Sequence, residues 1–263
     1  MVASNLGAMD AKIGEVMKYL LSTVFSLLLA TVLLGISATT SAQQAPNQAQ
    51  QLEQINELLQ QNPEVIPSVL NSLQQYISSK KTAEQAQQDH GSWLLDNDDA
   101  HPWFGNENGT VPVIVFTDYD CPYCKRLEPH LQKLVEEFPQ VKVINVLVPL
   151  RQQSVQGGNL NPANFALNVW QNQPEQFAEL HDLLYKKNGL HTGKSLEQIA
   201  RKTGTRSQLD SPKATPTVIE RNYRAFADFQ LRGTPAIMVG GQTIPGYIEY
   251  SELKQIVQQT LAQ

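Results

Sequence analysis

Three hydrophobic patterns follow one another along the chain, and each predicts a different kind of element. The first is a mostly apolar run from Tyr19 to Ile36, preceded by Lys12 and Lys18 and followed by small residues ending at Ala42. Basic start, apolar core and small-residue end is the order of a secretory signal, so residues 1–42 are expected to be a cleaved signal peptide. The run approaches the length of a membrane span, which leaves a signal anchor as the competing reading. No later stretch is long and apolar enough to cross a bilayer, so the processed chain is expected to be soluble outside the cytoplasm, in the periplasm.

From Gln43 to Gln88 the background turns rich in Gln, Asn and Ser. Leu52, Ile55, Leu58 and Leu59, then Val65, Ile66, Val69, Leu70, Leu73, Tyr76 and Ile77, recur there at three- and four-residue steps. That is helix periodicity. Asn62-Pro63-Glu64 supplies a cap, a first-turn proline and an acid, the signature of a helix start. Pro67 would clash inside that helix, which makes it an alternative start. Residues 43–90 are thus expected to form a helical stalk and linker. A stripe of this kind is buried either on its own domain or against a copy in another chain. The second is favoured, as a homo-oligomer, because an exposed apolar face is a liability. Ser78 to Gly109 reads as polar linker, with a short strand at Trp93-Leu94-Leu95. Asn108-Gly109 reads as a turn rather than a glycosylated sequon.

From Val111 onward the apolar residues fall in short continuous runs. "VPVIVF" (Val111–Phe116) and "VKVINVLV" (Val141–Val148) predict strands buried on both faces. A helix from about Cys121 to Phe138 separates them, giving a right-handed βαβ unit. Helical patterns follow on Phe165, Val169 and Trp170; on Phe177, Leu180 and Leu184; on Leu196 and Ile199, opened by a Ser195/Gln198 capping box; and from Val218 to Phe229. "TPAIMVGGQTIPG" predicts a strand–turn–strand hairpin at Gly240-Gly241, and Leu253, Ile256, Val257 and Leu261 a last helix. The fold class is α/β, in a domain spanning 91–263 with a helical insertion at about 155–231.

Charge changes this picture little: a net −5 over 263 residues, with no basic block, argues against a nucleic-acid partner. "HTGKS" lacks the glycine a phosphate loop requires, because Asn188 stands there. The cysteines matter more. There are only two, Cys121 and Cys124, in the run "FTDYDCPYCKRLEPHL". A loop this short closes little chain entropy, so the pair is a poor staple. A zinc site needs further ligands, and the five histidines are scattered; c-type haem needs His where Lys125 stands. An inert buried pair and a redox dithiol remain. The second fits a strand delivering Cys121 to a helix N-terminus, where free amides and the helix dipole stabilise a thiolate. Cys121 then attacks, and Cys124, one turn inside, resolves the mixed disulfide. No cofactor beyond the dithiol and no metal is called for. Gly233-Thr234-Pro235-Ala236 leads into a strand far along the chain, where a cis Pro235 would leave backbone groups free for a substrate chain.

"FTDYDCPYCK", Pro129 and "GTPA" together resemble the thioredoxin superfamily. The helical block and the approach "LLDNDDAHPWFGNENGTVPVIVF" are similar to its DsbA-like branch, especially ScsC-type periplasmic members with N-terminal oligomerisation helices. The resemblance implies a thioredoxin-like fold with Cys121 as nucleophile, Cys124 as resolving thiol and Pro235 as the cis proline beside Thr234. Pro122, Tyr123, Thr234 and Pro235 would then meet the substrate. It further implies exported proteins with thiols or disulfides as substrates, and a membrane redox partner of DsbB or DsbD type. Tyr123 and Thr234 match DsbG- and ScsC-like proteins, which lean toward isomerisation or reduction. Many relatives carry an acid six residues before the first cysteine. Val115 stands there in this chain, leaving Asp118 or water to handle the proton. The reading from another class is a non-catalytic periplasmic chaperone or a copper-binding dithiol protein.

Overall fold

The computed structural model describes residues 47–155, 160–209 and 215–262, so the expected signal segment lies outside the described residues. The chain divides into two units, one ending at Ser68 and the other beginning at Val69. The first holds helix α1 (Gln48–Gln61) and a 3-10 turn over Pro63–Val65. Asn47 caps α1 through a reciprocal pair with Gln50. Nothing in α1 is buried, and Leu52, Ile55 and Leu58 face solvent.

Helix α2 (Ile66–Leu95) runs through the segment expected to be linker. Both proposed starts have a share in its beginning: Pro63 opens the 3-10 turn, and Pro67 sits in the first turn of α2, where a missing N–H costs nothing. The expected strand at Trp93-Leu94-Leu95 is the last turn of this helix. Ala86, His90, Gly91 and Leu94 lie on its buried face, so the boundary expected between residues 90 and 91 falls inside α2. His90 Nε2 meets Asp228 Oδ2 at 2.7 Å, and Trp93 Nε1 donates to Asn222 Oδ1 at 3.0 Å. Earlier in α2, Val69, Leu70, Leu73, Tyr76 and Ile77 are exposed.

A five-stranded sheet organises the second unit: β1 (Trp103–Gly105), β2 (Val111–Thr117), β3 (Val141–Leu147), β4 (Ala236–Val239) and β5 (Gln242–Pro245), in spatial order β1-β3-β2-β4-β5. Only β2 and β3 are parallel, joined by α3 (Pro122–Glu137), as the continuous apolar runs predicted. The β4–β5 hairpin turns at Gly240 and Gly241, whose φ values of 56° and 73° suit glycine. Helices α4 (Pro162–Asn172), α5 (Phe177–Lys186), α6 (Gly193–Lys202) and α7 (Thr215–Asp228) form the insertion, and α8 (Tyr250–Leu261) closes the chain. The cap of α6 is Thr192, reciprocally paired with Ser195, rather than Ser195 with Gln198.

Alternation along the strands sorts the core. Val111, Val113 and Val115 pack with Leu127, Leu131, Leu253 and Val257 on one face. Ile114, Phe116, Ile144 and Val146 pack with Leu94 and Phe226 on the other. A third cluster fills the insertion around Phe165, Leu167, Leu180 and Leu196, and it takes in Tyr119, Cys121 and Cys124. The dithiol therefore sits where the insertion meets the ends of the parallel strands.

Candidate active site

The turn from β2 into α3 sets the dithiol. The Cys121 N–H donates to the Asp118 carbonyl at 3.0 Å, and Cys121, in extended conformation, caps α3. Pro122 fills the first helical position, where no N–H is needed. Cys124 lies on the inward face of α3 with Leu127, Glu128 and Leu131, the spacing of a single helical stripe.

Exposure barely separates the two sulfur residues, at 5% for Cys121 and 2% for Cys124. Electrostatics separates them. The Cys121 thiol is pulled down to about 5, first by the hydrogen bond from Cys124 and then, against opposing burial, by the Cys124 amide, Thr234 and the Tyr123 amide. Burial pushes the Cys124 thiol well above the ordinary value, and its neighbour Cys121 adds to this. The helix terminus does contribute donors, as the sequence suggested, but the partner thiol is the larger influence.

Thr234-Pro235 is a cis peptide bond immediately before β4. Pairing of Ala236 with Phe116 brings this loop beside the end of β2. The Cys121 thiol donates to the Thr234 carbonyl at 3.1 Å, and the Gly246 N–H donates to the Pro235 carbonyl at 2.9 Å. Cys121, Cys124, Thr234 and Pro235 are thus assembled in one place. Tyr123 points outward, 57% exposed, with its ring 6.4 Å from that of Tyr247. Arg126 lies 4.3 Å over the Tyr247 ring and pairs with Glu249 at 2.8 Å.

Around the motif is a shell of buried polar groups that sequence reasoning did not single out, Asp118 excepted. Asp118 accepts from the N–H groups of Asp120 and Arg151, each at 2.8 Å, and burial raises its carboxyl to about 6. Asp120 accepts from the His191 N–H at 2.7 Å. Lys125 donates to the carbonyls of Lys187 and Gly189 at 2.5 and 2.9 Å. Beneath the dithiol, Thr117 Oγ1 meets the Tyr185 hydroxyl at 2.6 Å, and the Tyr119 hydroxyl meets His181 Nδ1 at 2.8 Å. His181 Nε2 in turn meets Glu128 Oε1 at 3.1 Å. The run of acids and a lysine flanking the cysteines was the available signal; their partners lie 33 to 71 residues away.

A model of the thioredoxin family matches residues 97–259, taking in both the dithiol and the cis-proline loop. The chain belongs to the thioredoxin family. Its mixed sheet with a helical insertion is the thioredoxin-like fold in its DsbA-like, ScsC-type form. The catalytic domain of Proteus mirabilis ScsC is 30% identical, with 68% of this chain and 98% of that one covered and a TM-score of 0.62. A periplasmic thioredoxin-like protein from Salmonella enterica serovar Typhimurium is 33% identical, covering 66% and 96%, with a TM-score of 0.58. Disulfide bond formation protein D of Bacillus subtilis (strain 168) is 26% identical over 176 residues, 61% of this chain and 77% of that protein. At the level of this family the activity is thiol–disulfide exchange.

Proposed function

We propose that the protein is a periplasmic thiol–disulfide oxidoreductase that exchanges disulfides in exported proteins through Cys121 and Cys124. The observation that carries the reading is the asymmetry of the two thiols: Cys121 is held near 5 while Cys124 is held high. At neutral pH Cys121 is therefore thiolate, the form that attacks a substrate disulfide, and Cys124 waits protonated until the mixed disulfide forms. Once Cys121 ionises or bonds to substrate sulfur it no longer donates to the Thr234 carbonyl. That carbonyl then faces an incoming chain as an acceptor, beside Pro235, in the manner of β-strand addition. Pro122 and the exposed Tyr123 flank the same approach.

Three further parts belong to this proposal. Residues 1–42 export the chain; residues 43–90 hold the stalk and its link to the catalytic domain of residues 91–263, the turns at Ala86 and His90 packing into that domain. The exposed apolar positions from Leu52 to Ile77 make a homo-oligomer, since a monomer would leave them in water. Tyr123 and Thr234 tilt the chemistry toward isomerisation or reduction, with a membrane redox partner of DsbB or DsbD type resetting the dithiol. Support comes from two relatives, one described as periplasmic and one as a disulfide bond formation protein.

Cys124→Ala tests the central claim, because it removes the resolving thiol and leaves the nucleophile. Expressed in the periplasm, this variant accumulates mixed disulfides with exported proteins on non-reducing gels, and a second substitution, Cys121→Ser, abolishes them. Absence of adducts in the single variant would overturn the exchange reading.

A further inference from the structure

A cavity of about 760 Å³ opens between β1, α3 and the corner joining α4 to α5. Its lining takes in neither cysteine nor the cis-proline loop, so the exchange chemistry does not account for it. The size falls in the range of roughly 300–1,000 Å³ typical of small-molecule sites. Four aromatic rings form the wall: Trp103 and Phe104 from β1, Trp170 from α4 and Phe177 from α5. Trp103 meets Trp170 edge-on at 6.2 Å, and Trp170 meets Phe177 edge-on at 5.0 Å, so each ring braces the next. The Trp170 Nε1–H donates to the Asp98 carbonyl at 2.5 Å, which fixes the middle of the wall.

The polar group inside is Glu128, on the inward stripe of α3 and only 6% exposed. Its hydrogen bonds, from Gln132 Nε2 at 2.7 Å and from His181 Nε2 at 3.1 Å, both arrive at Oε1. The Tyr119 hydroxyl bonds His181 Nδ1, and with Tyr119 as donor the imidazole proton sits on Nε2, toward Glu128. Oε2 receives no donor from the described residues, and Glu128 lines the cavity. A carboxylate buried this far calls for a donor at both oxygens. The protein's own cations are engaged elsewhere. Lys133, the lysine of the lining, holds its ammonium 4.1 Å over the Tyr250 ring, outside the cavity. Asp182 on the lining is paired with Lys186 at 2.5 Å, while Glu136 has no ion pair among the described residues.

We propose that this cavity binds an organic cation, an ammonium or guanidinium on an apolar body, with an N–H on Glu128 Oε2 and the body against the rings. Its lining selects that chemistry. An anion would meet Glu128, Glu136 and Asp182. A neutral apolar molecule would cover Oε2 and leave it without water or donor. A cation supplies the missing donor, and the aromatic faces attract its charge as well as its body. The wall already shows this preference: Lys142, which does not line the cavity, places its ammonium 4.7 Å over the Trp103 ring. A free amine and an arginine side chain of a polypeptide share this chemistry. The inference goes beyond the exchange reading and does not depend on it.

Titration calorimetry of the full chain with 2-phenylethylamine tests the site, with 2-phenylethanol as its neutral counterpart and N-acetyl-arginine amide standing for a polypeptide side chain. Salt at about 0.15 M screens the chain's net charge of −5 at long range and leaves contact interactions. The amine is expected to bind with a Kd of about 1 mM or below, and the alcohol at least about tenfold more weakly. Glu128→Gln keeps the side chain's size and removes its charge. It should weaken the amine at least about tenfold and leave the alcohol unchanged. Trp103→Leu, at a half-buried position on the edge strand β1, should weaken the amine by about threefold or more. Tighter binding of the arginine derivative assigns the site to polypeptide side chains, and tighter binding of the amine assigns it to free amines. An alcohol that binds as well as the amine, no binding by either cation, or a folded Glu128→Gln protein with undiminished affinity overturns the inference. The comparison of amine with alcohol on the unmodified protein decides the matter even where a variant does not fold.

Discussion

The Cys121 thiol lies 3.1 Å from the carbonyl oxygen of Thr234, although 113 residues separate them. The antiparallel pairing of β4 with β2 makes this meeting possible, because Ala236 opposite Phe116 puts the preceding loop at the end of the strand that delivers the dithiol. One atom of the cis-proline loop is thereby tied to the protonation state of Cys121. While the thiol is protonated, the carbonyl is occupied; ionisation frees it. In the proposed exchange, this one hydrogen bond would couple the chemistry to the binding of a chain.

Alkylation tests the asymmetry of the pair directly. Cys121 stands at the helix terminus and Cys124 on the inward face of α3, so ionisation and access both favour Cys121. With iodoacetamide near pH 6, reduced protein is expected to carry label on Cys121 and none on Cys124, read by peptide mass. Equal labelling of the two would contradict the assignment of nucleophile and resolving thiol.

Stability should depend on pH in a way that distinguishes the reduced from the oxidised protein. Cys121 falls from 9.0 in the unfolded chain to about 5 in the fold. A depressed acid stabilises the folded state above its unfolded pKa, and that contribution is lost as pH falls toward the folded value. The disulfide form has no thiol to ionise. From pH 5 to 9 the reduced form is therefore expected to gain stability relative to the oxidised form. The slope does not exceed the roughly 1.4 kcal/mol per pH unit that a difference of one whole bound proton gives. Urea midpoints of both forms across this range measure it, and a flat or falling difference would refute it.

How much of this was legible in sequence follows from the range of each signal. The strands, α3 and the hairpin announced themselves through contiguous patterns, and "CPYC" and "GTPA" marked both halves of the site. The second half of α2 did not, because its buried face is built from Ala86, His90, Gly91 and Leu94. Their spacing is helical, but three of the four are not apolar enough to register against a Gln- and Ser-rich background. The shell around the dithiol was hidden for another reason. Asp120 is held by His191, and Glu128 by His181, partners supplied by the insertion and invisible to any local pattern. Val115 illustrates the opposite case: its place among Leu127, Leu131 and Val143 is what its strand periodicity implied.

That packing makes Val115→Glu informative. Val115 is buried in an apolar cluster, so a carboxyl there has no partner and should destabilise the fold by about 2–4 kcal/mol. If proton transfer limits resolution, the new acid speeds release of a mixed disulfide on Cys121 by Cys124 near neutral pH, read as thiol released in stopped flow. An unchanged rate in a folded variant would mean that another group already moves the proton.

The last prediction joins the stalk to the chemistry. Oxidation needs a single brief encounter between one dithiol and a substrate thiol. Isomerisation needs a misfolded substrate to be held while its bonds are exchanged, and linked sites raise the effective concentration for the second contact. The apolar positions from Leu52 to Ile77 are exposed, while the turns around Ala86, His90 and Leu94 pack into the catalytic domain. Deleting residues 43–81 removes the first set and keeps the second, so the catalytic domain should stay folded. The deletion variant is expected to be a monomer by light scattering that still oxidises a reduced peptide yet no longer restores activity to scrambled ribonuclease. A monomer that remained a full isomerase would break the link between stalk and function, and a variant that stayed oligomeric would place the interface on the catalytic domain.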